Sequence, residues 1–238
     1  MRPANRLLAA LPDDDFDLLR PHLRTVTLSA RQVLHRQGER VRALYFPNGG
    51  VVSLVTALAD GGLVEAGSVG DEGLVGVETV FGPDARSTCE TIVQVTADGE
   101  TAEMIGLDAL RQAIAARPAV RQAVGAYGQA LFGMLARLTA CNAVHDVQQR
   151  CARWLLTTHD RLHGRDFHLS HEFLAVMLGV RRPTVSEVAE KLQEAGHVHY
   201  TRGQVSVLDR AGLEALACEC YSTIRELFER HLPYSPGW

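Results

Sequence analysis

The chain has 238 residues, with 24 Lys and Arg against 28 Asp and Glu, a formal net charge of −4, and 46% hydrophobic residues. That length suits one large or two small domains with an ample core, and a charged fraction of 22% belongs to a globular chain rather than a disordered one. The acidic balance excludes a histone-like protein that coats nucleic acid regardless of sequence, while leaving room for a compact basic edge on an acidic body.

The first apolar run, Leu7 to Leu11, is too short for a signal-peptide core and is followed at once by Asp13-Asp14-Asp15. No stretch reaches the length of a membrane span. Cys89, Cys141, Cys151, Cys218 and Cys220 are odd in number and lack a framework spacing, so a reduced, cytoplasmic protein without a membrane partner is expected.

Residues 5–23 read as one or two short helices with Leu7, Leu8, Leu11, Phe16, Leu18 and Leu19 as the apolar set. From Thr25 to about Met104 the pattern changes to short β-rich runs: Thr25–Leu28, Val33–His35, Leu44–Phe46, Val51–Leu58, Leu63–Ala66, Thr91–Thr96 and Thr101–Met104. Turns such as Gln37-Gly38-Glu39, Asn48-Gly49-Gly50, Asp60-Gly61-Gly62 and Asp98-Gly99 separate them, which predicts an antiparallel roll or barrel rather than a βαβ sheet. A helix over Leu107–Ala116 follows, and Arg117-Pro118 opens a longer one. On it Val120, Val124, Tyr127, Leu131, Met134, Leu138 and Cys141 recur in alternating steps of four and three, the spacing of a coiled-coil seam. Val124, Tyr127, Leu131, Met134 and Leu138 are therefore the expected homodimer interface, with Gly125, Gly128, Gly133 and Ala136 beside them. The competing reading is an amphipathic helix lying on its own β-domain.

Asp146 reads as a new N-cap, which puts a hinge near Ala143–His145. The stretch Leu169 to Leu192 then reads as two helices joined by a tight turn. Ser170 stands at an N-cap, and Phe173, Leu174, Met177 and Leu178 form one apolar face. Gly179 sits where the chain must reverse, and Pro183 is tolerated in a first helical turn. Small Ala175, Gly179 four residues on and branched Val185 six beyond that are the spacing a DNA-binding helix-turn-helix needs. An exposed helix start has no internal need for Arg181, Arg182, Thr184 and Ser186, whereas base edges and phosphates do. Glu187, on the same outward side, can accept from cytosine. Val198–Thr201 and Val205–Leu208 flank Arg202-Gly203 as a basic-tipped hairpin, the wing, and Asp209 caps a last helix running through Cys220 to Phe228. The DNA-contacting set is thus Ser170, Arg181, Arg182, Thr184, Ser186, Glu187 and Arg202.

These pieces resemble the CRP/FNR family of bacterial transcription regulators over nearly the full length. The resemblance rests on Val33 to Glu39, Leu44-Tyr45-Phe46 and Gly49 to Val52 in the roll. Leu178-Gly179-Val180-Arg181-Arg182-Pro183-Thr184-Val185 at the recognition helix is the more specific match. It implies an α+β fold: an antiparallel, jelly-roll-like β-roll sensor domain, a long dimerisation helix at about 118–143 and a C-terminal winged helix-turn-helix. The expected domains are 1–145 and 146–238. It further implies a homodimer on palindromic double-stranded DNA, with RNA polymerase as a further candidate partner. Members that bind a cyclic nucleotide carry a Gly-Glu-Leu-type turn and an Arg-Ser/Thr-Ala pair for the cyclic phosphate. Here the turn is Gly70-Asp71-Glu72-Gly73-Leu74, and the pair is Arg86-Ser87, followed by Thr88 after a longer gap. Glu72, Arg86, Ser87 and Tyr127 are the candidate effector-binding residues, but the register weighs against a cyclic-AMP receptor.

No cysteine precedes Cys89, so the iron–sulfur cluster of oxygen-sensing relatives is not expected. Cys218 and Cys220 alternate on the expected last helix and read as two buried or half-buried thiols that do not face one another. His197 and His199 lack partners at metal-ligand spacing. No catalytic residue, metal ligand or cofactor is assigned, and the chain is read as a regulator rather than an enzyme. The alternatives are a cupin-like β-roll enzyme with an accessory helical domain, which would need more strand histidines than His35, and a cyclic-nucleotide module, which leaves Arg181, Arg182 and the wing without a role.

Overall fold

The computed structural model describes residues 4–59, 62–96, 99–164 and 166–232. The expected turn residues Asp60, Gly61 and Asp98 and the tail Pro233–Trp238 lie outside them. The N-terminal segment is pinned by Asn5, whose side chain accepts from the Leu8 N–H and donates to the carbonyls of Pro47 and Gly73 at 2.8 and 2.9 Å. α1 (Arg6–Ala9) and α2 (Asp13–Leu19) bury Leu7, Leu8, Phe16 and Leu19 against the roll that follows.

The roll consists of β1 (Arg24–Thr27), β2 (Val33–His35), β3 (Ala43–Pro47), β4 (Val51–Ala57), β5 (Leu63–Val69), β6 (Glu90–Val95) and β7 (Thr101–Gly106). They form two antiparallel sheets, ordered β1-β7-β3 and β2-β6-β4-β5. Leu44, Phe46, Val52, Val69, Val93, Ala102 and Ile105 fill the space between the sheets. β4 is buried on both faces, which explains its near-continuous apolar run: Val52 points into the roll, while Val51 joins the core of the C-terminal part. α3 (Leu107–Ala116) leads into α4 (Pro118–Val144).

α5 (Val147–Arg161) starts at a complete capping box, Asp146 accepting from the Gln149 N–H at 2.9 Å while the Gln149 side chain accepts from the Asp146 N–H. β8 (Phe167–His168), α6 (His171–Leu178), α7 (Arg182–Glu194), β9 (Val198–Thr201), β10 (Gln204–Val207), α8 (Arg210–Leu216) and α9 (Cys220–His231) complete the described chain. The wing sheet is ordered β8-β10-β9, so the expected hairpin gains a third, two-residue strand.

Two expectations need correction. Val124, Tyr127, Leu131, Met134 and Leu138 are all buried inside the chain itself, in one cluster with the roll and with Ile224, Phe228 and Leu232 from the C-terminal end. The four-three spacing marked the stripe that α4 lays on its own core, so these five side chains cannot form an exposed dimer seam. At about 1.5–3 kcal/mol for each large apolar side chain, that burial is a main support of the fold. The last helix is also not continuous. It breaks at Ala217, and α9 turns back to pack along α4, with Leu227 against Gly133.

Candidate nucleic-acid interface

The helix-turn-helix is built from its turn outward. Gly179 takes φ +63°, a left-handed conformation that costs glycine nothing. Arg150, reaching across from α5, donates to the Leu178 carbonyl at 3.0 Å and satisfies an acceptor that the end of α6 would otherwise leave orphaned. Ser170 caps α6, accepting from the Phe173 N–H at 3.2 Å. Ala175 and Val185 are buried where the two helices cross, as their spacing requires.

This packing leaves one edge of α7 in solvent. Arg181, at its N-cap, and Arg182, Pro183 and Glu187 are exposed, and Thr184 is half-buried between them. Ser170 is exposed at the foot of α6. Ser186 is held differently: its hydroxyl donates to the Arg182 carbonyl at 3.2 Å and lies 3.0 Å from Nδ1 of His171, tying α7 to α6. Burial, with the Arg182 charge nearby, lowers the pKa of His171 below the ordinary histidine value. At the wing tip Arg202 and Gly203 take φ +51° and +81°, the two-residue turn whose twist matches the flanking strands, and Arg202 is exposed. The Leu169 N–H donates to the Gly203 carbonyl at 2.7 Å, and the Tyr200 hydroxyl donates to the Leu169 carbonyl, so the wing is fixed to the segment that leads into α6.

The other side of the helix-turn-helix rests on the roll through buried polar contacts. Arg161, 1% exposed, grips Glu72, 0% exposed, through Nη2–Oε1 at 2.6 Å and Nε–Oε2 at 3.2 Å. The same guanidinium donates to the Ser68 hydroxyl and carbonyl at 2.7 and 3.0 Å. A Cβ on Gly70 would collide with the Arg161 stem, so glycine here makes room for an arginine on a distant helix. Trp154 Nε1 donates to Glu65 at 3.1 Å and Ser53 donates to the same carboxylate, yet burial raises the Glu65 pKa to about 7. Met177 of α6 rests on Ser53 and Gln94 of the sheet.

The four effector candidates do not form one site. Glu72 is committed to Arg161. Tyr127 is buried against the Gly73 turn, where a Cβ would strike its hydroxyl, and burial pushes that hydroxyl's pKa up. Arg86 is exposed and donates to the Gly38 carbonyl at 2.9 Å. Ser87 is buried and donates to the Cys89 carbonyl at 2.7 Å. The sequence reading had missed both Arg161 and Trp154. Their signal was a polar or amphipathic residue on the otherwise apolar face of α5, at positions where one expects only packing.

A further grouping also escaped the sequence. Cys141, His145, Cys218 and Cys220 bring their ligand atoms within 4.8 Å of one another. Cys218 and Cys220 were expected on one helix with their side chains apart. The break at Ala217 instead leaves Cys218 in a turn, turned toward Cys141.

A helix-turn-helix with a wing, carried by a β-roll and a long helix, defines the protein as a two-part transcription regulator. Residues 149–216 match the Crp-like helix-turn-helix domain family. The transcriptional regulator LdrP of Thermus thermophilus is 28% identical over 193 residues, covering 77% of this chain and 92% of that protein. FixK2 from Bradyrhizobium japonicum shares the fold with a TM-score of 0.67 at 16% identity, over 82% of this chain and 98% of that one. TTHB099, a CRP-family transcriptional regulator from Thermus thermophilus, does so with a TM-score of 0.65 at 22% identity, over 82% and 96%. Residues 149–216 thus form a Crp-like helix-turn-helix domain, and the whole chain is similar to transcription regulators of the CRP/FNR type. No helix among the described residues is long and apolar enough to cross a membrane.

Proposed function

We propose that the chain acts in the cytoplasm as a homodimer that recognises a palindromic operator, with residues 1–145 as the sensing unit and 146–238 as the DNA-binding unit. One observation carries the reading: the N-terminal mouth of α7 presents Arg181, Arg182, Thr184 and Glu187 to solvent beside a wing whose tip is Arg202. Arg182 is read as a fork onto guanine O6 and N7, and Glu187 as an acceptor from cytosine N4 or a brace for a neighbouring arginine. Ser170 and Arg202 are read as phosphate contacts, and Ser186 as a residue that fixes α7 rather than one that reads DNA. Two recognition helices related by a two-fold axis would meet half-sites roughly 34 Å apart.

The homodimer face we assign to the other side of α4. Gly125, Gln129, Phe132, Ala136, Thr139 and Ala143 recur in steps of four and three along it. Phe132 is 74% exposed, and the space above Gly125 and Gly128 is open. A large aromatic in a stripe of small residues is what two close-packed helices use. The roll is read as answering to something other than cyclic AMP, since Glu72 and Arg86 are both engaged within the chain.

Binding-site selection with salt titration tests the interface. Arg182→Ala is expected to cost about 1–3 kcal/mol and relax one base-pair preference, whereas Arg202→Ala weakens all sequences alike and flattens the salt slope. Equal weakening of every sequence by both would reduce Arg182 to a phosphate clamp.

A further inference from the structure

The three cysteines at the foot of α4 form a small core of their own, separate from the clusters of the roll and of the helix-turn-helix. Cys141 lies in the last turns of α4, His145 follows at its C-cap, Cys218 comes from the break between α8 and α9, and Cys220 opens α9. The Sγ atoms of Cys141 and Cys218 are 3.5 Å apart, and the Cys220 Sγ is 3.7 Å from Nδ1 of His145. A zinc ion held tetrahedrally, with Zn–S of about 2.3 Å and Zn–N of about 2.0 Å, has ligand–ligand edges of roughly 3.5–3.8 Å. The two distances of 3.5 and 3.7 Å match such edges, and all four ligand atoms lie within 4.8 Å of one another, close enough to close on one ion and too close together for a polynuclear cluster.

The surroundings fit the same ion. Nδ1 of His145 faces the sulfurs, while its Nε2 lies 3.0 Å from Oε2 of Glu219. A metal-bound histidine characteristically donates its second ring N–H to a carboxylate, which fixes the tautomer and the ring orientation. All three cysteines are buried, with His145 closing the side toward solvent. Three thiolates and one divalent cation leave one net negative charge. Arg153 is buried next to this cluster with its Nε unpartnered, and its charge acts on Cys141.

We propose that Cys141, His145, Cys218 and Cys220 bind one zinc ion, which pins the α8–α9 turn to the end of α4. Binding releases three thiol protons and takes His145 as neutral imidazole through Nδ1, with Nε2–H donated to Glu219. The ion joins the helix that would set the dimer to the C-terminal part that would meet DNA, across the residue where α4 gives way to α5. It fixes the hinge angle. Loss of the ion, or oxidation of its thiolates, frees that angle.

The test uses the full chain, purified with reductant and without chelator, then stripped and titrated with Co2+ and Zn2+. The expected result is one metal per chain, with Co2+ giving thiolate charge-transfer absorption and the strong visible bands of a tetrahedral site. Cys220→Ser and Cys218→Ser are expected to lose stoichiometric metal. Glu219→Gln, an exposed change that leaves the fold alone, is expected to keep the site and weaken it by about 10–100-fold. Three results would overturn the proposal: no cobalt uptake by the reduced wild-type chain, a cobalt spectrum without thiolate bands, or stoichiometric metal retained in Cys220→Ser. A Cys141–Cys218 disulfide persisting in the reductant-treated chain, with no metal bound, would likewise sink it.

Discussion

The Arg161–Glu72 pair offers the sharpest measurement of how the helix-turn-helix is held to the roll. Both side chains are essentially without solvent contact, and four hydrogen bonds of 2.6–3.2 Å join the guanidinium to Glu72 and Ser68. Removing one member leaves the other charge buried and uncompensated, which costs about 3–5 kcal/mol. For a chain of this size, each kcal/mol lowers Tm by about 2–4 °C, so Glu72→Gln or Arg161→Met is expected to melt roughly 6–20 °C lower. Replacing both at once removes the buried charges together, and such pairs often exchange for apolar residues at little cost. Ser68 and the Gly70 N–H, which donates to Glu72 at 3.0 Å, then lose partners, leaving a residual penalty of about 1–3 kcal/mol. The double variant Arg161→Met/Glu72→Met should therefore be more stable than either single one. The assay is a double-mutant cycle by denaturant unfolding at pH 7. Additive effects, or single costs below about 1 kcal/mol, would refute the view that this pair is a desolvated strut.

Two other outcomes separate competing assignments. Phe132→Glu is expected to yield a folded monomer by sedimentation, because Phe132 projects into solvent, whereas Leu131→Glu puts a charge into the chain's own core and is expected to lower Tm before it touches association. A folded, fully dimeric Phe132→Glu would move the dimer face elsewhere. Stability should also depend on pH through Glu65. Burial holds its carboxyl at about 7, above the ordinary 4.5, so the protonated form favours folding. That contribution is complete below about pH 4.5 and is lost as pH rises through about 7, amounting to about 3 kcal/mol. Asp71, raised to about 7 by burial and by Glu72, titrates in the same window. Glu65→Gln should thus remove part of the slope and Glu65→Gln/Asp71→Asn most of it, and an unchanged slope in the double variant would contradict the assignment.

Local chemistry was the legible part of the sequence. Ser170, Asp146 and Gly179 each do what their residue type does at a helix end, so the helix starts and the tight turn could be placed without any long-range contact. The wing followed from Arg202-Gly203 between two β runs. What escaped was whatever depended on a partner far along the chain. Periodicity shows that α4 has an apolar stripe but cannot say what covers it, and the stripe of glycines and alanines opposite, marked only by Phe132, has almost no hydropathy signal. Glu72 looked like a ligand residue because its turn, Gly70 to Leu74, resembles the Gly-Glu-Leu-type turn of cyclic-nucleotide-binding regulators. Its true partner, Arg161, is 89 residues away, and nothing local announces the pairing. The cysteines failed for a similar reason. Their meeting needs both a break at Ala217 that no proline or glycine signals and the return of α9 onto α4.

Taken together, the contacts between the two parts of the chain divide by chemistry. α9 meets α4 through apolar side chains, Ile224, Leu227, Phe228 and Leu232, a contact that loses surface burial as soon as it opens. α5 and α6 meet the roll through Val51 and Val95, which join their apolar core, and through a set of polar contacts: Arg161 with Glu72 and Ser68, Trp154 with Glu65, Met177 with Ser53 and Gln94. A polar contact of this kind has two ways to be satisfied, by its partner or by water, and therefore separates at a smaller hydrophobic cost than an apolar one. The helix-turn-helix is thus tied to the roll by a desolvated polar network and to α4 by apolar packing. An effector seated in the roll can shift α7 only by its difference in affinity between the joined and separated arrangements. The Arg161–Glu72 pair sets how large that difference must be. A roll ligand that moves the Gly70–Leu74 turn acts on Glu72 directly, and through Arg161 on the end of α5, with no longer route required.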